Sequence, residues 1–131
     1  MQLQLKYSKI LPPSGFYAIT IFNKLYRREK YKDKPISKVT YNHESIHLQQ
    51  ELDFVFGYEK LYILGGCIFY ILYFIELIKA ILSLFTFGKI KAYRSISFES
   101  EAYNNQKDFN YLDNRKRFNV KYIFKVIWQT S

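Results

Sequence analysis

The chain has two histidines, His43 and His47, and Glu44 directly follows the first. The order is His-Glu-x-x-His. On a helix, residues four apart lie one above the other on the same face. Both imidazoles can therefore reach one metal ion, and Glu44, next round the helix, can hold a water bound to it. Two neutral ligands and a carboxylate base are what a zinc hydrolase needs. The ion polarises a carbonyl and acidifies a water, and the carboxylate carries the proton to the leaving amine. Such a site also needs a third protein ligand, with a fourth position left to water.

The candidates for that ligand lie in Ser97-Phe98-Glu99-Ser100-Glu101-Ala102-Tyr103-Asn104-Asn105, read as part of a helix over 95–114. Glu99 and Glu101 are two apart, about 200° round a helix, so only one of them can face the ion. Glu99 shares a face with Ala102, whose small side chain would let this helix approach the histidine helix closely. Glu99 is preferred, with Glu101 as the alternative. A plain reading of both is a solvated acidic turn.

His43-Glu44-x-x-His47 followed by Glu99-x-x-Ala102 resembles the gluzincin metallopeptidases. It is most similar to the membrane-associated prenyl-protein and heat-shock endopeptidases and the antibiotic-sensor peptidase domains. In size it is similar to the minigluzincins. The resemblance covers about residues 37–106. It implies a minimal zincin-like core, Zn²⁺ held by His43, His47 and Glu99, Glu44 as general base, and a peptide or protein substrate. Tyr103 stands where the family has an aspartate that supports a ligand histidine. The register Glu101-Ala102 with Asn105 resembles the thermolysin type instead. No third histidine exists to stabilise an oxyanion, so Tyr103, Tyr93 and Arg94 are the candidates.

The elements that must position these groups read as follows. Leu3, Leu5 and Tyr7 alternate with polar neighbours, suggesting a strand or extended arm, and Pro12-Pro13-Ser14-Gly15 ends it. Residues 16–22 are rich in β-branched and aromatic types and read as a strand, turning near Asn23-Lys24 into a second strand over 25–28. The resemblance makes 16–22 a candidate substrate-pairing edge; the plain reading is a core strand. Residues 27–34 form a charged loop. Ser37 or Thr40 caps the histidine helix, Leu48, Leu52 and Val55 continue it, and Gly57 interrupts it. A long apolar segment follows over 61–87, uncharged from 61 to 75, with Glu76 and Lys79 spaced to pair. The tail over 115–131 is basic and amphipathic. The expected fold is α+β and mainly helical, one domain. It has a β-hairpin and loop region over 1–36, a helical metal-site core over 37–114 and the tail.

A formal net charge of +9 and 20% aromatics point to a basic surface. Without a nucleic-acid fold signature, an anionic membrane is favoured over nucleic acid as the partner. The segment 61–87 is borderline transmembrane by hydropathy. One full span would put the two histidines and Glu99 on opposite sides of a bilayer. That leaves a shallow hairpin bent at Gly65-Gly66, an interfacial or buried helix, or a site at membrane depth. Lys60, Lys89, Lys91 and Arg94 suit placement on the cytoplasmic side, and a homodimer through this helix is the main competitor. The lone Cys67 excludes an internal disulfide, fits a reducing compartment and reads as a small core residue. The N-terminus lacks the apolar core of a signal peptide. The rivals to a membrane-associated zinc endopeptidase are a non-catalytic metal-stabilised interaction module and a basic binder whose motif is accidental.

Overall fold

Ser37 starts the helix around which the rest is assembled. Its hydroxyl accepts the Thr40 amide at 3.0 Å, filling one of the open donors of a first helical turn. In this computed structural model the residues described are 1–14, 16–82 and 96–117. Helix α1 runs Lys38–Asp53. It ends where Phe56 (φ 54°) and Gly57 (φ 78°) take left-handed conformations, and the Gly57 amide turns back to the Leu52 carbonyl. Glycine adopts that conformation without strain.

The fold is α+β and mainly helical, with one small sheet. Strands β1 (Gln4–Ser8), β2 (Ile19–Ile21) and β3 (Lys24–Arg28) lie in the order β1-β3-β2. The β2–β3 hairpin turns through Phe22 and Asn23, with Thr20 opposite Leu25. β1 runs parallel to β3 on its far side, with Leu5 opposite Leu25. Period-two alternation sends Leu25 and Arg27 of β3 inward. Leu25 joins Leu3 and Leu48 in a core between sheet and helix. Arg27, expected at the end of this strand and the start of a solvated charged run, is in the strand but buried, and its guanidinium donates to the Lys34 carbonyl.

Helix α2 (Tyr62–Leu82) crosses α1. It is continuous through Gly65-Gly66, so the hairpin bent there, one of the alternatives, is not formed. Those glycines serve close approach instead. A Cβ at Gly65 would meet the Glu51 carbonyl oxygen, and one at Gly66 would meet the Phe22 ring. Half of α2 faces inward through Gly65, Gly66, Phe69 and Ala80. The other half exposes Ile63, Leu64, Ile71, Phe74, Ile75 and Ile78. Only 17% of its most apolar window is buried, so α2 is not a core helix. Cys67 lies on the exposed half rather than in the core. In a stretch that is apolar on every side, residue type does not report which face a position occupies.

The second glutamate-bearing helix is shorter than expected. Helix α3 spans Ser97–Asn105 and a separate turn, α4, spans Tyr111–Asn114. Between them the Asn42 side-chain amide (Nδ2) donates to the carbonyls of Asn105, Gln106 and Asp108, which holds the chain out of helical geometry. Glu76 of α2, expected to pair with Lys79, accepts the Ser97 amide and hydroxyl and so holds the start of α3. Phe69, Ala80, Ile96 and Phe98 form the core between α2 and α3.

Candidate metal centre

Helix α1 buries Asn42, His43, His47, Gln50, Glu51 and Asp53. A helix with so many buried polar groups must supply each with a partner, because an unsatisfied buried group costs about 1–3 kcal/mol. Following those partners reveals the site.

His43 and His47 lie a turn apart with their rings edge to face, and their Nε2 atoms are 3.2 Å from each other. Ala102 is fully buried and lets α3 close on this face, bringing in the Glu99 carboxylate. Its Oε2 lies 3.3 Å from His43 Nε2 and its Oε1 3.4 Å from His47 Nε2. The ligand atoms of all three residues fall within 4.8 Å of one another. A tetrahedral ion with bonds of about 2.0–2.1 Å sets its ligand atoms about 3.3 Å apart, so the spacing suits a small divalent cation.

The second nitrogens of the imidazoles support that fit. Gln50 donates through Nε2 to the Phe98 carbonyl (3.0 Å) and to Glu101 Oε2 (2.8 Å). Its Oε1 must therefore face His47 Nδ1, 2.8 Å away, and that nitrogen carries the proton. His43 Nδ1 likewise meets Gln106 Oε1 at 3.0 Å. In the neutral rings both Nε2 lone pairs then point at the convergence point, the arrangement metal-binding histidines use. Tyr73 donates its hydroxyl to Glu99 Oε1 at 2.8 Å, and the Tyr103 ring packs edge-on against His43 at 4.7 Å.

Electrostatics points the same way. Burial disfavours a charged His47, but the Glu99 carboxylate more than offsets this, with help from Glu44. His47 is raised from 6.5 to about 9. Burial also disfavours a charged Glu99, yet the two histidines and the Tyr73 hydroxyl hold it far below the usual carboxylate range. A pair that holds a proton on His47 and a negative charge on Glu99 this tenaciously can exchange the proton for a cation.

Of the two candidate glutamates, Glu99 faces the histidines and Glu101 faces away. Glu101 is buried in a different cluster, where it accepts from Gln50, from Tyr111 and from the Arg115 guanidinium, which also forks onto Asp53. It reaches the site only through Gln50 and His47 Nδ1. Arg115, expected in a basic tail, is thus part of the core. The rest of that tail from 118, and the oxyanion candidates Tyr93 and Arg94, lie outside the described residues.

Glu44 is half-buried beside the centre, and its Oε2 accepts the Thr20 hydroxyl at 2.6 Å. Thr20 belongs to β2, an edge strand of the sheet. On the same edge the Tyr70 hydroxyl accepts the Phe22 amide (2.9 Å). It lies 3.2 Å from the Thr20 carbonyl and 2.9 Å from Glu51 Oε1. Burial pushes Glu51 up to about 7, only partly offset by Tyr70 and His47. Sequence reasoning missed Thr20, Gln50, Tyr70, Tyr73 and Gln106. Only Gln50, three residues after His47 and so on its face, carried a local signal.

Comparison with family models, with curated proteins and with solved structures gives no match for this chain.

Proposed function

We propose that the protein is a zinc-dependent peptidase of gluzincin type, with a minimal zincin-like core, working at the cytoplasmic surface of a membrane. The observation that carries this reading is the convergence of His43 Nε2, His47 Nε2 and the Glu99 carboxylate, with Glu44 alongside. A structural ion has no use for a neighbouring carboxylate that is half-exposed. Bound zinc would supply Lewis acidity, bringing the pKa of a water toward about 7 and polarising a peptide carbonyl.

This chain's residues supply the rest. Gln50 and Gln106 fix the imidazole tautomers, and Tyr73 orients Glu99. The Thr20 hydroxyl holds the Glu44 carboxylate through its Oε2. Glu44 takes the proton from the attacking water and delivers it to the leaving amine. Tyr103, packed on His43, is the candidate among the described residues to steady the oxyanion.

The exposed face of α2 supports the membrane placement. The helix is about 31 Å long at 1.5 Å per residue, close to the thickness of a bilayer core. Phe69 packs on His47 and Tyr73 bonds Glu99 midway along it, so a transverse span would carry α1 and its buried polar groups to the bilayer centre. The apolar half instead lies flat in the interface, with a basic chain facing anionic lipid.

The test is zinc content and cleavage of a mixed peptide library by the wild type and by Glu44→Gln. Expected are one zinc per chain in both and cleavage only by the wild type. Cleavage retained in Glu44→Gln sinks the assigned base. Zinc bound with no cleavage by either favours the non-catalytic, metal-stabilised module, and zinc bound by neither sinks the metal reading.

A further inference from the structure

A peptide held along a sheet edge pairs with the outward amides and carbonyls of alternate residues on that strand. Beside β2 these are the Thr20 groups and, at the turn that follows the strand, the Phe22 amide. The Thr20 carbonyl and the Phe22 amide already face a side chain. One hydroxyl, that of Tyr70, accepts the Phe22 amide and lies within hydrogen-bond reach of the Thr20 carbonyl.

This hydroxyl is not a mobile surface group. It is also bonded to Glu51 Oε1, and Glu51 is fully buried at the far end of α1. The Phe22 ring stands edge-on between the Tyr62 and Tyr70 rings, at 6.2 and 5.6 Å, and rests where Gly66 has no side chain. An aromatic plug therefore closes the strand edge at its Phe22 end. Thr20, the residue that holds Glu44, is the last position before it. In the other direction the chain leads through Ala18 to exposed Tyr17 and Phe16.

We propose that Tyr70 makes the substrate groove one-sided, so that the site takes the end of a peptide chain and not an internal segment. This rests on the peptidase reading above and deepens it. An extended peptide can add backbone pairs toward Ala18, but it runs out of strand edge opposite Thr20. Scission therefore falls within a residue or two of one chain terminus. Tyr70 acts as a specificity-determining residue and has no part in the chemistry.

The experiment uses the full-length, zinc-loaded Glu44→Gln protein, which binds without turnover. The probes are fluorescent peptides shortened one residue at a time from either end of a sequence that the wild type cleaves. Shortening at the open end should weaken binding about threefold or more per residue, the scale of one or two lost backbone hydrogen bonds. Shortening at the closed end, beyond a residue or two from the scissile bond, should change nothing. Tyr70→Ala should make the closed end matter, with several-fold gains on extension, and Tyr70→Phe should do so in part. Zinc stoichiometry reports that each variant has kept its fold.

Equal dependence on both ends in the wild type overturns the proposal and leaves the peptidase intact. So does a closed end that stays insensitive in both Tyr70 variants while zinc is retained. If no peptide is bound or cleaved by any form, the peptidase reading itself fails and the proposal falls with it.

Discussion

Replacing Gln50 with leucine tests whether this residue serves the metal site or only the fold. Gln50 is 1% exposed and makes three hydrogen bonds: to His47 Nδ1, the Phe98 carbonyl and Glu101 Oε2. Leucine of similar size keeps the packing and removes all three. Glu101 retains Tyr111 and Arg115, so it is not stranded. His47 Nδ1–H and the Phe98 carbonyl lose these partners inside the protein. At about 1–3 kcal/mol for each such group, the loss is about 2–6 kcal/mol. That is a large share of the roughly 5–15 kcal/mol that stabilises a domain. Zinc affinity should also fall, by about 10–100-fold, because nothing then holds the His47 tautomer. Urea unfolding in the presence of a chelator reads the first effect, and competition against a chromophoric chelator reads the second. Gln50→Glu separates them. Its carboxylate still accepts from His47 but sits against Glu101, so stability should fall while zinc affinity holds. If Gln50→Leu loses stability yet binds zinc like the wild type, the tautomer argument is wrong.

Four further outcomes follow from the same geometry. Metal-free His47 titrates near 9, so at pH 7 an arriving cation must displace its proton. Zinc affinity should climb about tenfold per pH unit up to about 9 and then level off, with about one proton released in calorimetry across buffers. The same raised value stabilises the metal-free fold fully below 6.5, a contribution lost as pH rises through about 9, which chelated protein should show as a falling melting temperature. Arg115→Met removes the guanidinium counter-charge from the buried Asp53 and Glu101 carboxylates and should cost about 3–5 kcal/mol in urea unfolding. Ile75→Glu on the exposed half of α2 should abolish co-sedimentation with anionic vesicles while leaving zinc content unchanged, and unaltered vesicle binding would argue against the membrane face.

Much of the site is legible in the sequence alone. Helical periodicity stacks His43 on His47 and sets Glu44 beside them, because 3.6 residues per turn is a local property of the backbone. Ser37 as cap, Gly57 as terminator, the β2–β3 hairpin and the inward face of Leu48 and Leu52 are local in the same way. The choice between Glu99 and Glu101 is half legible. Spacing shows that only one can face the histidines, and Ala102 suggests which face would close. Packing makes the choice, since the fully buried Ala102 and the Arg115 fork onto Glu101 turn the two carboxylates in opposite directions.

The surrounding groups are decided by tertiary structure alone. Gln106 meets His43 across 63 residues, and Thr20 meets Glu44 across 24. A glutamine or a threonine in isolation announces nothing, because its role comes from the partner that folding delivers. The faces of α2 are hidden for a related reason. In a helix apolar all round, only the neighbours it finds decide that Phe69 lies against His47, that Tyr70 covers the strand edge, and that Cys67 remains outside.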